Sequence, residues 1–311
     1  MIKSIVHKHS YIWPVLGSVL IWLLIGAVSG RLTAETMLSS AKLATFALLL
    51  GLAQMLVVTS GDGAIDLSQV YILTLSAYIS TTLSQGNLMV GLLAAILTGA
   101  LCGLVNGCIN VYLKIPAMIT TLATGYIIFT VILIAAPHMT TLPNSDFIKF
   151  INIDIGGISM LTIVSIVLAA LLAILLYRMP YGKQLHAVGQ NRRASELSGI
   201  SVKKVTIMAF TLAGAISGFA GVLCGAFIGG AFQDMGSTYF LPSIAAVFVG
   251  GTAASGGKSS VLGVCFGALM MSLMTTFLNA ANLAPGLQKL ILGAFLVFLL
   301  VASVSNAAKK K

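Results

Sequence analysis

The chain has 311 residues, of which 58% are hydrophobic and only 8% charged, with 17 basic against seven acidic side chains. A water-soluble domain carries about 25% charged residues, so this composition excludes a soluble globular protein of such length and points to a chain whose solvent is mostly lipid. The net charge of +10 does not call for a nucleic-acid partner, since the basic residues are scattered between apolar runs and form no face with interleaved aromatics. Lys and Arg retained in cytoplasmic loops are the plainer cause.

In chain order, Met1 to His9 is basic and an apolar run follows to Val28. The run is long enough to span, and no small-x-small cleavage site ends it, so it reads as a retained first helix. A spanning helix needs about 20 mostly apolar residues. Ten segments meet or approach that length: 12–29, 43–60, 67–84, 88–112, 117–136, 158–177, 205–228, 240–252, 260–281 and 287–304. The fourth is long enough to be tilted or broken. The eighth is short and ends in glycines, as a half-helix or re-entrant segment does. With both termini in the cytoplasm, 13 of the 17 basic residues fall inside, and only Arg31, Lys42, Lys149 and Lys289 fall outside. Glu35, Asp146, Asp154 and Asp234 share that outer side. The asymmetry favours ten spans with both ends in the cytoplasm.

The expected fold class is therefore all-α, a polytopic membrane protein with about ten transmembrane helices. Residues 1–311 form one transmembrane domain, with a cytoplasmic loop at 178–204. Spans two to five and seven to ten each hold a Gly-spaced helix, then a proline, then a further span, and so can be read as two repeats of opposite topology. Gly99, Gly103 and Gly107 recur every four residues, as do Gly214 and Gly218, and Gly263 and Gly267. That spacing puts them on one helix face, where small residues let helices approach closely.

Chemistry-bearing residues are few. The four cysteines lie inside apolar segments in no CxxC or Cys/His arrangement, which gives no disulfide or metal site. The four histidines fall in loops or termini with no acidic partners, so no catalytic constellation is expected. No GxxxxGK[ST] motif is present, so the chain cannot cradle a nucleotide triphosphate itself, and no cofactor is called for. Three segments stand out. In Gly61-Asp62-Gly63-Ala64-Ile65-Asp66-Leu67-Ser68, Asp66 and Ser68 fit either a helix N-cap or a broken helix entry lining a solute route. In Tyr181 to Ile200, a short helix over 191–198 is bracketed by Gly189 and Gly199, with Asn191 as N-cap and Gly199 as C′ residue. Tyr239 to Thr252, followed by Ser255-Gly256-Gly257-Lys258, reads as a hinge or hairpin.

At these segments the chain resembles the permease subunits of bacterial ATP-binding-cassette importers for monosaccharides, the group of the ribose, galactose, xylose and autoinducer-2 importers. Ala64-Ile65-Asp66-Leu67-Ser68 is similar to the family's GIDLS run. His186-Ala187-Val188-Gly189-Gln190-Asn191, continuing to Ser198-Gly199-Ile200, resembles its YAxGxNxxAAxLSGI run. Ser243 to Thr252 with Ser255-Gly256-Gly257 resembles its AIAAVVLGGTSxxGG run, and Asn106-Gly107 through Pro116 to Leu122 also looks like the family. The chain departs from the pattern at Gln69-Val70, at the extra Asp62-Gly63 and at Ala194-Ser195.

The resemblance implies a subunit without catalysis of its own, in a bacterial cytoplasmic membrane. It implies a second permease copy or paralogue, a cytoplasmic ATPase, often of two tandem domains, and an extracytoplasmic sugar-binding protein. Gly189, Asn191, Ala194, Glu196, Leu197 and Gly199 would form the element coupled to the ATPase. Polar residues are costly in lipid and usually face an interior, which marks Gln54, Asp66, Ser68, Gln69, Asn106, Asn110, Asn279 and Asn282 as candidates for a solute path. The alternative is a transporter driven by an ion gradient.

Overall fold

The computed structural model describes residues 11–30 and 33–308, with side chains described as far as Val301. Lys3, Lys8, Arg31 and Lys309 to Lys311, used above to orient the chain, lie outside the described residues, as do His7 and His9. The described chain is mostly helical. In order it runs α1 (Ile12–Ser29), α2 (Ala34–Thr59), α3 (Gln69–Leu83), α4 (Leu88–Tyr112), α5 (Ala117–Ala135), α6 (Ser145–Ile151), α7 (Met160–Tyr177), α8 (Pro180–Gln190), α9 (Arg192–Leu197), α10 (Val202–Ile228), α11 (Phe240–Val249), α12 (Val261–Ala280) and α13 (Pro285–Ala308). A two-residue antiparallel ladder, Asp154–Ile155 with Ile158–Ser159, precedes α7.

A backbone in hydrocarbon has no water to bond, so it satisfies its own N–H and C=O groups by forming helices. Among the described residues, seven helices are long and apolar enough to cross a membrane: α1, α2, α4, α5 (continued to His138), α7, α10 and α12. The chain is a multi-pass membrane protein. The fourth expected span proves to be one unbroken helix, α4, of 25 residues. The eighth is α11, of only ten residues.

Two helices form the axis of the bundle. Residues 44–59 of α2 are all buried, as is most of α10. Around them α4, α5, α7 and α13 turn apolar faces outward, with Leu97, Ile127, Leu171 and Phe298 among the exposed side chains, as lipid contact requires. The pairing is regular. Helix α4 packs on α10 and α12 packs on α2; α3 packs on α10 and α11 on α2; α3 meets α4 and α5, and α11 meets α12 and α13.

Glycines set the closest of these contacts. A Cβ built on Gly99 or Gly103 would overlap the carbonyl oxygen of Gly214 or Phe210 on α10, and one on Gly107 would lie 2.9 Å from the Ile207 Cα. Gly263 and Gly267 of α12 are pressed likewise against the Gly250 and Ala246 carbonyls at the end of α11.

Candidate functional site

Two polar regions and a cavity stand out from the apolar bundle among the described residues. The first polar region surrounds the start of α3. Gly61 to Ser68 turns back into the bundle after α2. Asp66, Ser68, Gln69, Asn106 and Thr121 are all buried there. Thr124 on α5 donates through Oγ1 to Asn106 Oδ1 (2.6 Å), Asn106 Nδ2 donates to Ser68 Oγ (2.8 Å), and Ser68 Oγ donates to Asp66 Oδ1 (2.6 Å). Asp66 Oδ1 also accepts the Ser68 N–H at 2.9 Å, while its Oδ2 is buried with no partner among the described residues. Leu67 N donates to Thr121 Oγ1 at 2.9 Å.

The expectation that Asp66 and Ser68 cap α3 needs correction. Ser68 occupies the cap position, but its backbone is already helical and its side chain caps nothing. Its hydroxyl hydrogen goes to Asp66 instead, and Asp66 binds the cap residue itself rather than the first turn of the helix. The side chains here join three helices together.

Gln69 does something the sequence did not suggest. In the amide orientation that satisfies all partners, it donates to the Leu50 carbonyl (3.1 Å) and accepts from the Gln54 N–H (3.1 Å). Those two groups are the i, i+4 pair that an α-helix bonds to itself. The Gln54 side chain in turn donates to the Asp66 carbonyl (3.1 Å) and to the Gln69 side-chain oxygen (3.0 Å), and accepts from the Asp66 N–H (3.0 Å). A side chain inserted into the helical ladder is a recognised cause of bending, and here it fastens α3 to the middle of α2.

The remaining candidates lie apart from this cluster. Asn110 is half-buried and donates to the Ile115 carbonyl at 2.8 Å, where it closes the α4–α5 turn. Asn282 sits in the α12–α13 turn with φ of 54°. Asn279 is exposed near the opposite end of the bundle and accepts from Gln288 Nε2 at 2.9 Å.

Asn279 borders the cavity. The space measures about 520 Å³ and lies between Leu43 and Ala47 of α2, the start of α11, and the facing parts of α12 and α13. Its walls are mainly apolar, with hydroxyls from Ser237, Thr238 and Thr275 and amides from Asn279 and Gln288.

The second polar region is the segment 178–204. It is more ordered than a loop. Pro180–Gln190 forms α8, which places His186 inside a helix rather than in a loop. Its ring contacts the Gly182 carbonyl (2.7 Å) and Ser259 Oγ (2.9 Å). Helix α9 then forms as the sequence predicts. The Asn191 side chain accepts from the Ala194 N–H at 3.0 Å, and Gly199 follows the helix with φ of 80°, the left-handed conformation that glycine adopts readily. Ala194 and Glu196 are exposed and Leu197 is 77% exposed. Gly189 lies where α8 meets the body of the protein. A Cβ there would overlap the Thr59 carbonyl and the Gly257 amide.

The family of branched-chain amino acid transport system permease components matches residues 36–300. The D-allose transport system permease protein of Escherichia coli is 27% identical over 295 residues, covering 92% of this chain and 90% of that protein. The galactose/methyl galactoside import permease protein of the same organism is 29% identical over 208 residues, 64% of this chain and 62% of that protein. The ribose import permease protein of Bacillus subtilis is 31% identical over 153 residues, 49% of this chain and 47% of that protein. No solved structure matches the chain significantly. The family match takes in α2 through most of α13, including all three regions just described, and the chain belongs to this family of transport-system permease components.

Proposed function

We propose that the chain is the membrane-spanning subunit of an ATP-driven importer and forms, with a second copy or a paralogue, the path for a monosaccharide. Relatives named for allose, galactose and ribose support the solute class. The observation that carries the ATP-driven reading is α9. It is a short helix fixed at both ends, standing at one end of the bundle with the apolar Leu197 side chain largely uncovered. An exposed leucine on a rigid projection suits insertion into a groove of a cytoplasmic ATPase, of one tandem-domain chain or two. Gly189, Asn191, Ala194, Glu196 and Gly199 then form and present that element.

The chain crosses the membrane ten times in this reading, with both termini cytoplasmic. The three spans beyond the seven long ones are α3, α11 and α13. A helix of ten residues is about 15 Å long and one of 15 residues about 22 Å, so α11 and α3 each begin inside the roughly 30 Å hydrocarbon layer. The pairing of α4 with α10 and α12 with α2 supports two inverted repeats, α2–α5 and α10–α13. Asn110 precedes Pro116, and Asn279 precedes Pro285, by the same six positions.

The cavity beside Asn279 is the outer mouth of the path. It lies far from α9: Leu43 is 16 residues before Thr59 on α2, about 24 Å along the helix. A binding protein outside delivers the sugar to it. The cluster of Asp66, Ser68, Gln69 and Asn106, with Asn110 below, closes the inner part, and the ATPase stroke opens it. A partner shifts such an equilibrium only by binding the two states unequally.

A second reading, uptake driven by an ion gradient, draws on Asp66, a carboxylate buried in the bundle with one free oxygen. Purification in mild detergent with native partners, followed by uptake in vesicles, separates the two. Co-purifying ATPase, weakened by Glu196→Ala and Gly199→Val, and sugar uptake that stops without ATP support the importer. Uptake without any ATPase, on an ion gradient alone, sinks it.

A further inference from the structure

We propose that Asp62 and Arg192 are positioning residues, paired so that motion of α9 is delivered to the start of α3. This rests on the importer reading above and names the route by which the stroke enters the membrane. Arg192 is the first residue of α9, and its Nε lies 2.9 Å from Asp62 Oδ2. Its Nη2 also reaches the Ser60 carbonyl at 3.5 Å. The other charged side chains of α9, Arg193 and Glu196, face each other at 3.9 Å along the helix and are more exposed. Arg192 is thus the one α9 side chain with a described ion pair to the α2–α3 link.

Its placement does not serve the helix. The N-terminal turn of a helix favours negative charge, and α9 begins with two arginines and no acidic residue. Asp62 is placed at a cost as well. Its φ of 56° puts a non-glycine residue in the left-handed region, which persists where the surroundings fix it. Arg192 is half-buried but its partner Asp62 is largely exposed, and an ion pair open to water on one side adds little to stability, so neither unfavourable placement is explained by holding the fold together.

The downstream connection is short. Only Gly63 to Ile65 separate Asp62 from Asp66, whose carboxylate holds Ser68 and, through it, Asn106 on α4. A pull on Asp62 therefore acts on the residue that organises the mouth of α3. The return contact runs through the backbone and one side-chain amide: Gly257 N donates to the Thr59 carbonyl at 3.0 Å, Gln190 Nε2 donates to the Gly257 carbonyl at 3.2 Å, and Gly189 packs between them. The α8–α9 hairpin is thereby held between the turn that precedes α3 and the turn that follows α11. The ion pair adds a link directed to the first of these.

The test is a double-mutant cycle on the whole transporter, reconstituted with its ATPase and binding protein. Sugar taken up per ATP hydrolysed is measured for the unmodified chain, Asp62→Asn, Arg192→Gln and the double variant. Asparagine tolerates the left-handed backbone, and a ratio is insensitive to the fraction of chain that folds. The expected result is a loss of more than twofold for each single variant, with the double within twofold of the worse single, because both remove one link. Arg192→Lys, which keeps the charge, retains more of the ratio than Arg192→Gln. Single variants within twofold of the unmodified chain, or losses that multiply in the double, overturn the proposal. If the unmodified chain holds no ATPase, the importer reading fails instead.

Discussion

The starts of α3 and α11 answer the same structural problem in opposite ways. Both helices are short, and each follows a segment with residues buried in the bundle, Ala64, Asp66 and Ser68 before α3 and Ala231 and Met235 before α11, which leaves a mouth there that side chains or space must fill. At α3 the mouth is sealed. Asp66, Ser68, Asn106 and Thr124 pass hydrogen bonds from one to the next, and Gly125 on α5 comes so near that a Cβ would sit 2.8 Å from the Tyr71 ring. At α11 the mouth is the cavity of about 520 Å³, with Thr275, Asn279 and Gln288 on its wall. The turns nearby are alike: Lys114 and Asn282, just before Pro116 and Pro285, both have positive φ. The difference teaches that polar residues in this bundle do two jobs. At α3 they lock helices through a buried chain of hydrogen bonds; at α11 the exposed Asn279–Gln288 pair and Thr275 border open space, where the proposed path runs.

Both mouths depend on helices that hold their distances, and forcing those helices apart should cost the most. Gly103→Val puts branched carbon atoms into the Phe210 carbonyl and the Gly214 Cα of α10. Overpacking against backbone costs about 3 kcal/mol or more, since backbone cannot rotate away. Thermal unfolding in detergent should show a large fall in midpoint or no recoverable protein. Gly293→Ala on α13 meets nothing within 4 Å and should not lower the midpoint, since alanine favours the helix over glycine.

Next comes the contrast between the mouths themselves. Asn106→Leu takes from the Thr124 hydroxyl its shorter acceptor, leaving the Thr121 carbonyl at 3.3 Å, and removes the donor to the fully buried Ser68. Leaving buried groups unsatisfied costs about 1 to 3 kcal/mol, read as a lower unfolding midpoint. Asn279→Leu removes a single exposed contact with Gln288 and should change stability by less than about 0.5 kcal/mol, while reducing sugar uptake. Equal losses of stability at both positions would erase the distinction between a sealed mouth and an open one.

Much of this was legible in the sequence, for reasons that differ by region. Long apolar runs bounded by Gly, Pro and polar residues fix the ends of α1, α4 and α5 almost to the residue. Helix α2 begins at Ala34, nine residues before the apolar core at Leu43, because Thr33 and Glu35 provide a cap and a favourable first-turn charge outside the hydrophobic stretch. Helix α9 was readable because Asn191 and Gly199 act locally. Helix α8 was not, since Gly182 and Gly189 look like loop residues until their close contacts with Leu176, Thr59 and Gly257 are known. The polar residues around α3 could be picked out one by one. Their order of donation, and the reach of Gln69 into the α2 ladder, depend on contacts between helices that no local pattern records.

Filling the open mouth tests its role without disturbing the sealed one. Among the described residues Thr275 bonds only its own helix, donating to the Met271 carbonyl at 3.0 Å. Thr275→Trp should place its ring in the cavity, reduce uptake at least about tenfold, equivalent to about 1.4 kcal/mol, and leave the ATPase attached. Uptake that survives would move the path elsewhere.

The smallest effect on stability is expected at the far end of the chain of contacts. Leu197 projects into solvent with 77% of its surface uncovered, so Leu197→Ser removes almost no buried area and should alter the unfolding midpoint by an amount worth less than about 0.5 kcal/mol. If that leucine fills a groove on the ATPase, the same change forfeits about 1.5 to 3 kcal/mol of apolar burial in the complex. Retention of the ATPase on the tagged chain would then fall by roughly ten- to a hundredfold. Stability and binding separate at this residue because it buries little in the isolated chain. Asn106 is the opposite case, where fold and function cannot be separated. Unchanged retention with Leu197→Ser would assign the contact to the charged pair, Arg193 and Glu196, instead of to the apolar tip.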